Sequence, residues 1–375
     1  MPATKSKANR VKRVALESEE IVVPDLDEKR KILSKLTADL NKKFGDNCIT
    51  LGVPKESDGS IKQIKRIPTG SISLDIALGG GIPEGRFIEM SGAYSSTKTT
   101  QALHMIREAQ KNGYVCALVE GEGTTDEAFL EALGVNVETL LYSQPDGMEE
   151  ACQLILDMQK SGAVNFCVLD SIAAMSPNKE QETSMEETVR MGIPQQILGE
   201  FFRKFQANNN RLNREGKMPF TLIGINQLRE KIGAYGDPEY TPGGRAKGFT
   251  CSVDIRLRRG DWITEGTGND REIVGQVVKF KIEKNKTFKR MTTGEFDFYF
   301  AENSGGVSPF YNDNEKEIVM CAVEWGVIER TGSWFVCYDK KYQGLNGLVS
   351  ALKESPELVK KLREDVLRLV TSKVD

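Results

Sequence analysis

Short apolar segments alternate with amphipathic helical segments between about residue 67 and residue 302 of the chain. Apolar runs of this length are typical of buried strands, and recurrence at three to four residues is typical of helices. The predicted strands are Phe87–Met90, Val115–Val119, Phe166–Leu169, Thr221–Ile225 and Val253–Leu257, and prominent predicted helices are Thr99–Lys111 and Met148–Lys160. This order predicts an α/β fold with a mainly parallel sheet and helices on both faces.

Later segments change in character. Val277–Ile282 and the alternating Phe296–Phe300 predict an antiparallel extension of the sheet. Beyond about residue 303, helical and extended pieces surround Trp325 and Trp334, and a helix over Pro356–Val370 follows. We expect a small C-terminal subdomain with both tryptophans in its core.

The N-terminal part lies outside this α/β pattern. Residues 1–26 are polar and basic at first, which predicts a disordered tail or, alternatively, a basic arm that touches DNA. From Asp27 to Phe44 an apolar residue recurs every four positions, so we expect an amphipathic helix that must bury its stripe on its own domain or on a neighbour. The predicted boundaries divide the chain into 1–26, 27–66, 67–302 and 303–375.

Composition narrows the possible classes of protein. The net charge of −3 argues against a wholly basic nucleic-acid binder, so any DNA contact must come from local basic groups. No apolar run approaches the roughly 20 residues of a membrane helix, and no signal peptide is apparent. Seven scattered cysteines without a CxxC pair, and His104 as the single histidine, indicate reduced, buried thiols in a cytoplasmic protein and no zinc site.

A phosphate-binding loop is predicted between a strand and a helix. The loop consists of Gly92, Ala93, Tyr94, Ser95, Ser96, Thr97, Lys98, Thr99 and Thr100. In a P-loop, backbone N–H groups and the helix dipole hold the phosphates, so Lys98 would reach the β- and γ-phosphates and Thr99 would bind Mg²⁺. Thr97 stands where the motif expects glycine, and its side chain restricts the loop backbone. The alternative is a plain Lys-Thr pair at a helix start.

Acidic residues at two further strand ends supply the other parts of an ATP site. Asp170 follows the apolar strand Phe166–Leu169 and would hold Mg²⁺ through water. Glu120 and Glu122 follow the strand Val115–Val119. A carboxylate there orients the attacking water or is a solvated loop acid, and the residues alone leave both interpretations open.

Several segments of the chain resemble the bacterial-type RecA recombinase family. They are Thr69–Gly79, Gly81–Arg86, Ser143–Asp146, Ser161–Val164, Asp170–Ala174, Asn226–Gly233 and Lys284–Lys286. The resemblance runs from about residue 27 to residue 370, and the departure at Thr97 hints at a phage-encoded member. It implies a RecA-like P-loop ATPase core with a small α+β C-terminal subdomain.

The resemblance also implies an activity and partners. It implies a DNA-dependent ATPase that uses ATP and Mg²⁺, forms a helical filament on single-stranded DNA, and pairs it with homologous double-stranded DNA for strand exchange. In such a filament the segment 27–66 packs on the adjacent subunit. By position, Glu122 matches the catalytic glutamate and Gln227 the residue that senses the γ-phosphate. Lys284 and Lys286 match lysines that reach the neighbour's ATP, and Asp126 and Phe129 match adenine contacts.

Two loops are candidates for DNA binding. They are roughly Glu180–Gly192 and Glu230–Arg245, and their alternative interpretation is a disordered surface connection. The candidate contacts are Arg203, Arg229, Lys231, Tyr235, Gly243, Gly244 and Arg245, since basic groups, glycine N–H groups and an aromatic ring suit a nucleic-acid backbone and bases. The chain departs from the family at Gln196, where an arginine is expected. Gly248 replaces an expected lysine, and Lys247 stands one residue earlier.

Two other functions compete with an active recombinase. One is an ATP-binding, DNA-coating filament or mediator with little hydrolysis, which Thr97 alone supports. The other is a hexameric helicase on the same core, which the N-terminal helix and the C-terminal part disfavour.

Overall fold

The computed structural model describes residues 26–52, 64–123, 125–182, 192–230 and 239–372. They belong to two compact units, one within residues 1–62 and the other within residues 63–375. In the first unit, helix α1 covers Leu26–Phe44, with acidic residues in its first turn and basic residues in its last, which suits the helix dipole. Ile32, Leu36 and Phe44 on this helix are exposed. The predicted tail lies outside the described residues.

The first half of the second unit alternates strands and helices. Its elements are β1 (Arg66–Ile67), α2 (Ile72–Leu78), β2 (Ile82–Pro83), β3 (Phe87–Gly92), α3 (Lys98–Lys111), β4 (Cys116–Glu120), α4 (Glu127–Ala132), β5 (Leu141–Ser143), α5 (Met148–Ser161), β6 (Phe166–Asp170), α6 (Asn178–Glu182), α7 (Ile193–Arg214) and β7 (Thr221–Gln227). The predicted strands and helices of this stretch are confirmed, with ends that differ by one or two residues.

Longer strands and then further helices follow. They are β8 (Arg229–Glu230), β9 (Glu239–Tyr240), α8 (Gly244–Thr250), β10 (Val253–Glu265), β11 (Glu272–Asn285), β12 (Thr293–Tyr299), β13 (Tyr311–Asn312), α9 (Asn314–Glu324), β14 (Ile328–Thr331), β15 (Trp334–Cys337), β16 (Lys340–Gln343), α10 (Gly344–Lys353) and α11 (Pro356–Ser372). The hairpin of β10 and β11 extends well beyond the strands that the apolar pattern predicted.

One large sheet organises this unit. Its strand order is β13-β12-β11-β10-β3-β7-β6-β4-β5. Pairing is parallel from β10 through β3, β7, β6 and β4 to β5, and antiparallel from β10 to β13. The predicted α/β class, with a parallel sheet and an antiparallel extension, is therefore confirmed.

The period of two along each strand divides the core between the two faces of the sheet. Ile88 and Met90 of β3 join one apolar cluster together with Leu103 of α3. Phe87 of β3 and Phe202 of α7 belong to the cluster on the other face. Helices thus cover both faces, as buried parallel strands require.

The C-terminal part has an apolar cluster of its own, formed by side chains of α9, β15, α10 and α11. Trp325 is partly buried against this cluster, whereas Trp334 on β15 is 45% exposed. The prediction that both tryptophans are core residues is therefore wrong for Trp334. β15 is the central strand of a three-stranded sheet that turns alternate side chains towards solvent, and Phe335, the next residue, takes the buried position.

Six of the cysteines are buried and Cys48 is exposed, so the prediction of buried thiols is wrong for Cys48. In the part of the chain that the structure describes, no helix combines the length and apolar character needed to cross a bilayer.

Candidate functional site

Four of the parallel strands end at the same edge of the sheet, and each carries a residue predicted for the ATP site. β3 ends at Gly92, β4 at Glu120, β6 at Asp170 and β7 at Gln227. Ligands of open α/β sheets bind outside the carboxyl ends of the strands. The fold therefore brings the predicted residues together because their strands are neighbours.

The loop after β3 is closely packed against its own turn. A Cβ on Gly92 would lie 2.3 Å from Ser96 Oγ and 2.6 Å from the carbonyl oxygen of Leu257, so only glycine fits there. Ser96 Oγ and Lys98 Nζ both donate to the carbonyl of Ala93, each at 2.8 Å. Helix α3 begins at Lys98, so its free N–H groups face the loop in the manner of an anion site.

Thr97 has a backbone conformation that explains the glycine of the usual motif. Its φ is 63° and its ψ is 17°, in the left-handed region. Residues with a Cβ lose about 1–2 kcal/mol in this region, and β-branched residues are uncommon there. Thr97 Oγ1 donates to the carbonyl of Ser96 at 2.7 Å. The loop therefore keeps the P-loop conformation at the cost of local strain. Tyr94, at the tip of the loop, is 96% exposed.

Thr99 and Asp170, the residues predicted to hold Mg²⁺, lie next to each other. Thr99 Oγ1 donates to Asp170 Oδ2 at 2.6 Å. Burial raises the pKa of Asp170 to about 6, the hydrogen bond from Thr99 lowers it, and the charges of Glu122 and Glu120 raise it. A cation would relieve this concentration of carboxylates, and a hydroxyl with a carboxylate suits Mg²⁺. Burial lowers the pKa of Lys98, against the charges of Asp170 and Glu122.

The two glutamates after β4 have different environments. Glu120 is buried and accepts hydrogen bonds from the N–H of Thr125 at 2.9 Å, from Thr125 Oγ1 at 2.8 Å and from the Tyr142 hydroxyl at 2.6 Å. Glu122 is exposed and accepts from Ser171 Oγ at 2.9 Å and from Gln227 Nε2 at 3.2 Å. Glu122 is thus the carboxylate that is available to a ligand at the P-loop edge.

Gln227 connects this edge to the second candidate DNA loop. It is exposed at the end of β7, and the short strand β8 begins two residues later. Strands β8 and β9 pair antiparallel, with Arg229 opposite Tyr240, so the two ends of the loop lie side by side. The candidate loop therefore begins close to the glutamine that contacts Glu122.

The described candidate DNA contacts lie on α7, on β8 and around the start of α8. Arg203 on α7, Arg229 on β8 and Arg245 on α8 are exposed. Gly243 and Gly244 have φ values of 114° and 73°, conformations that favour glycine. Lys231 and Tyr235 lie outside the described residues, as does most of the first loop.

The predicted adenine contacts form a local structure of their own. Asp126 Oδ1 accepts the N–H of Phe129 at 2.7 Å and caps helix α4. The ring of Phe129 lies edge-on to Phe310, with ring centroids 5.3 Å apart. A role in adenine binding stays a prediction for both residues.

Lys284 and Lys286 contact a different element from the P-loop. Their ammonium groups donate to the carbonyls of Gly248 and Phe249, at 2.6 Å and 2.7 Å, at the end of α8. Burial lowers the pKa of Lys286, and the neighbouring charge of Lys284 lowers it further. Within one chain, the two lysines therefore hold α8.

Sequence reasoning missed three residues of this region. Ser171 hydrogen-bonds to Glu122, and its position directly after Asp170 was the available signal. Glu89 and Lys247 form a buried ion pair. The displaced lysine at position 247 was visible in the sequence, but its partner was not, because the two are 158 residues apart.

Comparison with known proteins shows which family the chain resembles in sequence. A family model described as the RecA N-terminal domain matches residues 31–305. Protein RecA of Bacteroides thetaiotaomicron is 37% identical over 349 residues, which cover 92% of this chain and 99% of that protein. Protein RecA of Campylobacter jejuni is 37% identical over 344 residues, covering 91% and 94%. Protein RecA of Chloroherpeton thalassium is 38% identical over 343 residues, covering 91% and 90%. The chain therefore belongs to the RecA family of recombinases.

Proposed function

We propose that this chain is a DNA-dependent ATPase that forms a helical filament on single-stranded DNA and exchanges strands with homologous double-stranded DNA. The observation that carries the proposal is the contact between Glu122 and Gln227 at the edge where the P-loop begins. It joins a carboxylate suited to orient water with a residue at the root of a candidate DNA loop. The activity requires this connection, since DNA must alter ATP turnover.

The chain's own residues supply the parts of phosphoryl transfer. Lys98 and the N–H groups of the P-loop and α3 would hold the phosphates, and Glu122 would orient the water that attacks the γ-phosphate. The Ser171 hydroxyl, at 2.9 Å, keeps the Glu122 carboxylate in place. Bound Mg²⁺ would neutralise charge on phosphate oxygens, and Thr99 and Asp170 are the residues that would hold it.

Filament assembly would complete the site. We infer that Lys284 and Lys286 reach the ATP of the neighbouring subunit, where cations stabilise the charge of the transferring phosphoryl group. The exposed apolar residues of α1, among them Ile32 and Leu36, favour packing of the segment 27–66 on an adjacent subunit, because such a stripe needs a partner. A head-to-tail contact that does not close produces a helical filament.

DNA would bind along the two candidate loops and act through Gln227. Arg203, Arg229 and Arg245 supply positive charge for phosphates, and the left-handed glycines Gly243 and Gly244 present backbone N–H groups. Contacts made only in the ATP-bound state would couple nucleotide to DNA affinity. Because its substrate would be cellular or phage DNA, we place the protein in the cytoplasm.

One assay tests the proposal as a whole. ATP hydrolysis is measured with and without single-stranded DNA, beside D-loop formation with homologous duplex. We expect hydrolysis to rise at least about tenfold with DNA, as one coupling of about 1.4 kcal/mol or more would produce, and D-loops to form only with ATP. Filaments on DNA with no stimulated hydrolysis would instead support a DNA-coating mediator, the function that the strained Thr97 favours.

A further inference from the structure

A buried ion pair joins the strand before the P-loop to the helix after the second candidate DNA loop. The ammonium group of Lys247 on α8 donates to Oε1 of Glu89 on β3, and both side chains are 3% exposed. Lys247 also donates to Thr241 Oγ1 at 2.7 Å. Replacing a buried pair with apolar residues is often neutral or stabilising, so stability alone does not account for these charges.

The carboxylate oxygen of Glu89 that accepts from Lys247 also accepts a hydrogen bond from β7, the strand that carries Gln227. Asn226 Nδ2 donates to Glu89 Oε1 and to the carbonyl of Pro242, each at 2.9 Å. Asn226 Oδ1 accepts the N–H of Gln227 at 3.0 Å, and Asn226 is fully buried. Glu89 is therefore linked through one side chain both to Gln227 and to the end of the candidate DNA loop.

A second carboxylate faces the pair from the neighbouring strand. Asp254 on β10 lies opposite Glu89 in the register of β10 and β3. Its Oδ1 is buried and has no hydrogen-bond partner among the residues that the structure describes. Burial raises the pKa of Asp254 to about 6, with a further rise from the charge of Glu89 and a lowering from Lys247. Lys247 thus pairs with Glu89, and the charges of Lys247 and Arg256 both lower the pKa of Asp254.

Helix α8 is held at its other end as well. Its last carbonyls, Gly248 and Phe249, accept hydrogen bonds from Lys284 and Lys286. At its start, a Cβ on Gly243 would lie 2.8 Å from Lys247 Cδ, so the glycine leaves room for the lysine stem. A displacement of α8 must therefore strain the Lys247–Glu89 pair, move β3, or do both.

We propose that Lys247 and Glu89 are positioning residues that transmit a displacement of the second DNA loop to the phosphate site, alongside Gln227. This role rests on the proposed function, since it presumes that DNA binding at the loop alters ATP turnover. Glu89 lies three residues before Gly92, so a pull on its side chain moves the strand that presents the P-loop. Because Lys247 is buried, it acts through Glu89 and does not contact DNA.

The decisive variant is Glu89→Gln/Lys247→Met. It removes both buried charges, keeps similar side-chain lengths, and leaves an amide oxygen that accepts from Asn226. Lys247→Met alone leaves Glu89 as an unpaired buried charge, which is strongly destabilising. The matched control is Glu215→Gln/Lys217→Met, which removes a Lys–Glu pair that is 2.8 Å long and exposed.

Five quantities are measured on each full-length variant: melting temperature, ATP turnover without DNA, the stimulation of turnover by single-stranded DNA, the affinity for that DNA, and amide hydrogen exchange over 239–250. We expect Lys247→Met to melt at least about 5 °C below the wild type. In the double variant we expect melting to recover and turnover without DNA to stay within about twofold of the wild type. DNA stimulation should fall at least about tenfold while the affinity for DNA stays within about threefold. Amide exchange over 239–250 should accelerate, and the control should match the wild type throughout.

Two results would overturn the inference. One is a double variant with restored melting and wild-type DNA stimulation, because the pair would then serve stability only. The other is unchanged hydrogen exchange over 239–250, because the pair would not hold α8. A wild-type protein without any DNA stimulation would contradict the proposed function itself and remove the transmission role with it, an outcome recognisable before any variant is measured.

Discussion

Two of the places in this chain where burial raises a carboxyl pKa have different surroundings. Asp170 lies at the edge of the sheet, where burial raises its pKa to about 6, next to exposed Glu122 and half-buried Lys98. Asp75 and Glu317 lie between α2 and the C-terminal helices. Burial raises the pKa of Asp75 to about 6 and the pKa of Glu317 to about 7.

The carboxylates of the second group, Asp75 and Glu317, are bound by other residues of the same chain. Asp75 accepts the N–H of Thr69 at 2.8 Å and pairs with Arg363 of α11. Glu317 accepts from Ser71 Oγ at 2.5 Å and from the N–H of Ser73 at 2.8 Å. A perturbed pKa therefore does not separate a reactive site from a structural joint. Exposure of the neighbouring groups differs between the two: Glu122 is exposed beside Asp170, where we propose the chemistry, whereas Asp75 and Glu317 attach the C-terminal part to α2.

The largest effect is expected from Glu122→Gln. The amide keeps the size of the side chain and removes the negative charge that would orient the attacking water. We expect DNA-stimulated ATP turnover to fall at least about 100-fold, while DNA binding in the presence of ATP persists. Single-turnover hydrolysis and fluorescence anisotropy with labelled single-stranded DNA measure the two quantities.

Glu120→Gln is the matched control, since the two glutamates are separated by one glycine. Glu120 is tied to Thr125 and Tyr142, so its amide variant should lose about 1–2 kcal/mol of stability and keep turnover within about fivefold once folded. Equal losses of turnover in Glu122→Gln and Glu120→Gln would contradict the assignment of Glu122 to the reaction and of Glu120 to stability.

A smaller effect, of opposite sign, is expected at the structural joint. Because burial raises the pKa of Glu317 from 4.5 to about 7, the folded state binds this proton more tightly than the unfolded chain. The resulting stabilisation is complete below about pH 4.5 and is lost as the pH rises through 7. Glu317→Gln stays neutral and keeps an acceptor for Ser71. The difference in the free energy of unfolding between this variant and the wild type should therefore shift in favour of the variant by about 1–3 kcal/mol from pH 5 to pH 8.5.

Urea unfolding at the two pH values measures this gain. The control is Glu324→Gln, at an exposed position on the same helix. Its free energy of unfolding should differ from that of the wild type by the same amount at both pH values. A Glu317 variant whose stability relative to the wild type does not change with pH would mean that the carboxyl is not held neutral by burial. ATP turnover of this variant should match the wild type.

The smallest effect is expected from Thr97→Gly in the P-loop. Glycine removes the strain of φ 63°, about 1–2 kcal/mol, but costs about 0.5–1 kcal/mol in chain entropy. The net gain in loop stability is therefore about 0–1.5 kcal/mol, and we expect the KM for ATP to fall about threefold. Thr97→Ala retains a Cβ, so its gain in stability and its fall in KM should be smaller than those of the glycine variant. Unchanged melting temperature and ATP kinetics in the glycine variant would show that Thr97 is neutral.

Local patterns determined how much of this structure the sequence could predict. Buried strands are continuous apolar runs, so the core sheet and the placement of Gly92 and Asp170 at its edge follow from the pattern. The choice between Glu120 and Glu122 did not, because it depends on partners from other strands, Tyr142 and Gln227. The Glu89–Lys247 pair joins residues remote in sequence, and no periodicity encodes it. Exposure of Trp334 depends on which face of a short three-stranded sheet meets solvent.

Mixing two inactive variants tests the shared ATP site most directly. One variant is Glu122→Gln and the other is Lys284→Ala/Lys286→Ala, so each lacks one half of the proposed site between neighbouring subunits. In a filament mixed one to one, about a quarter of the interfaces would combine an intact Glu122 with intact lysines. We predict recovery of about a quarter of the wild-type DNA-stimulated hydrolysis. Mixed filaments that form on DNA but remain as inactive as the separate variants would contradict a site completed by the neighbouring subunit.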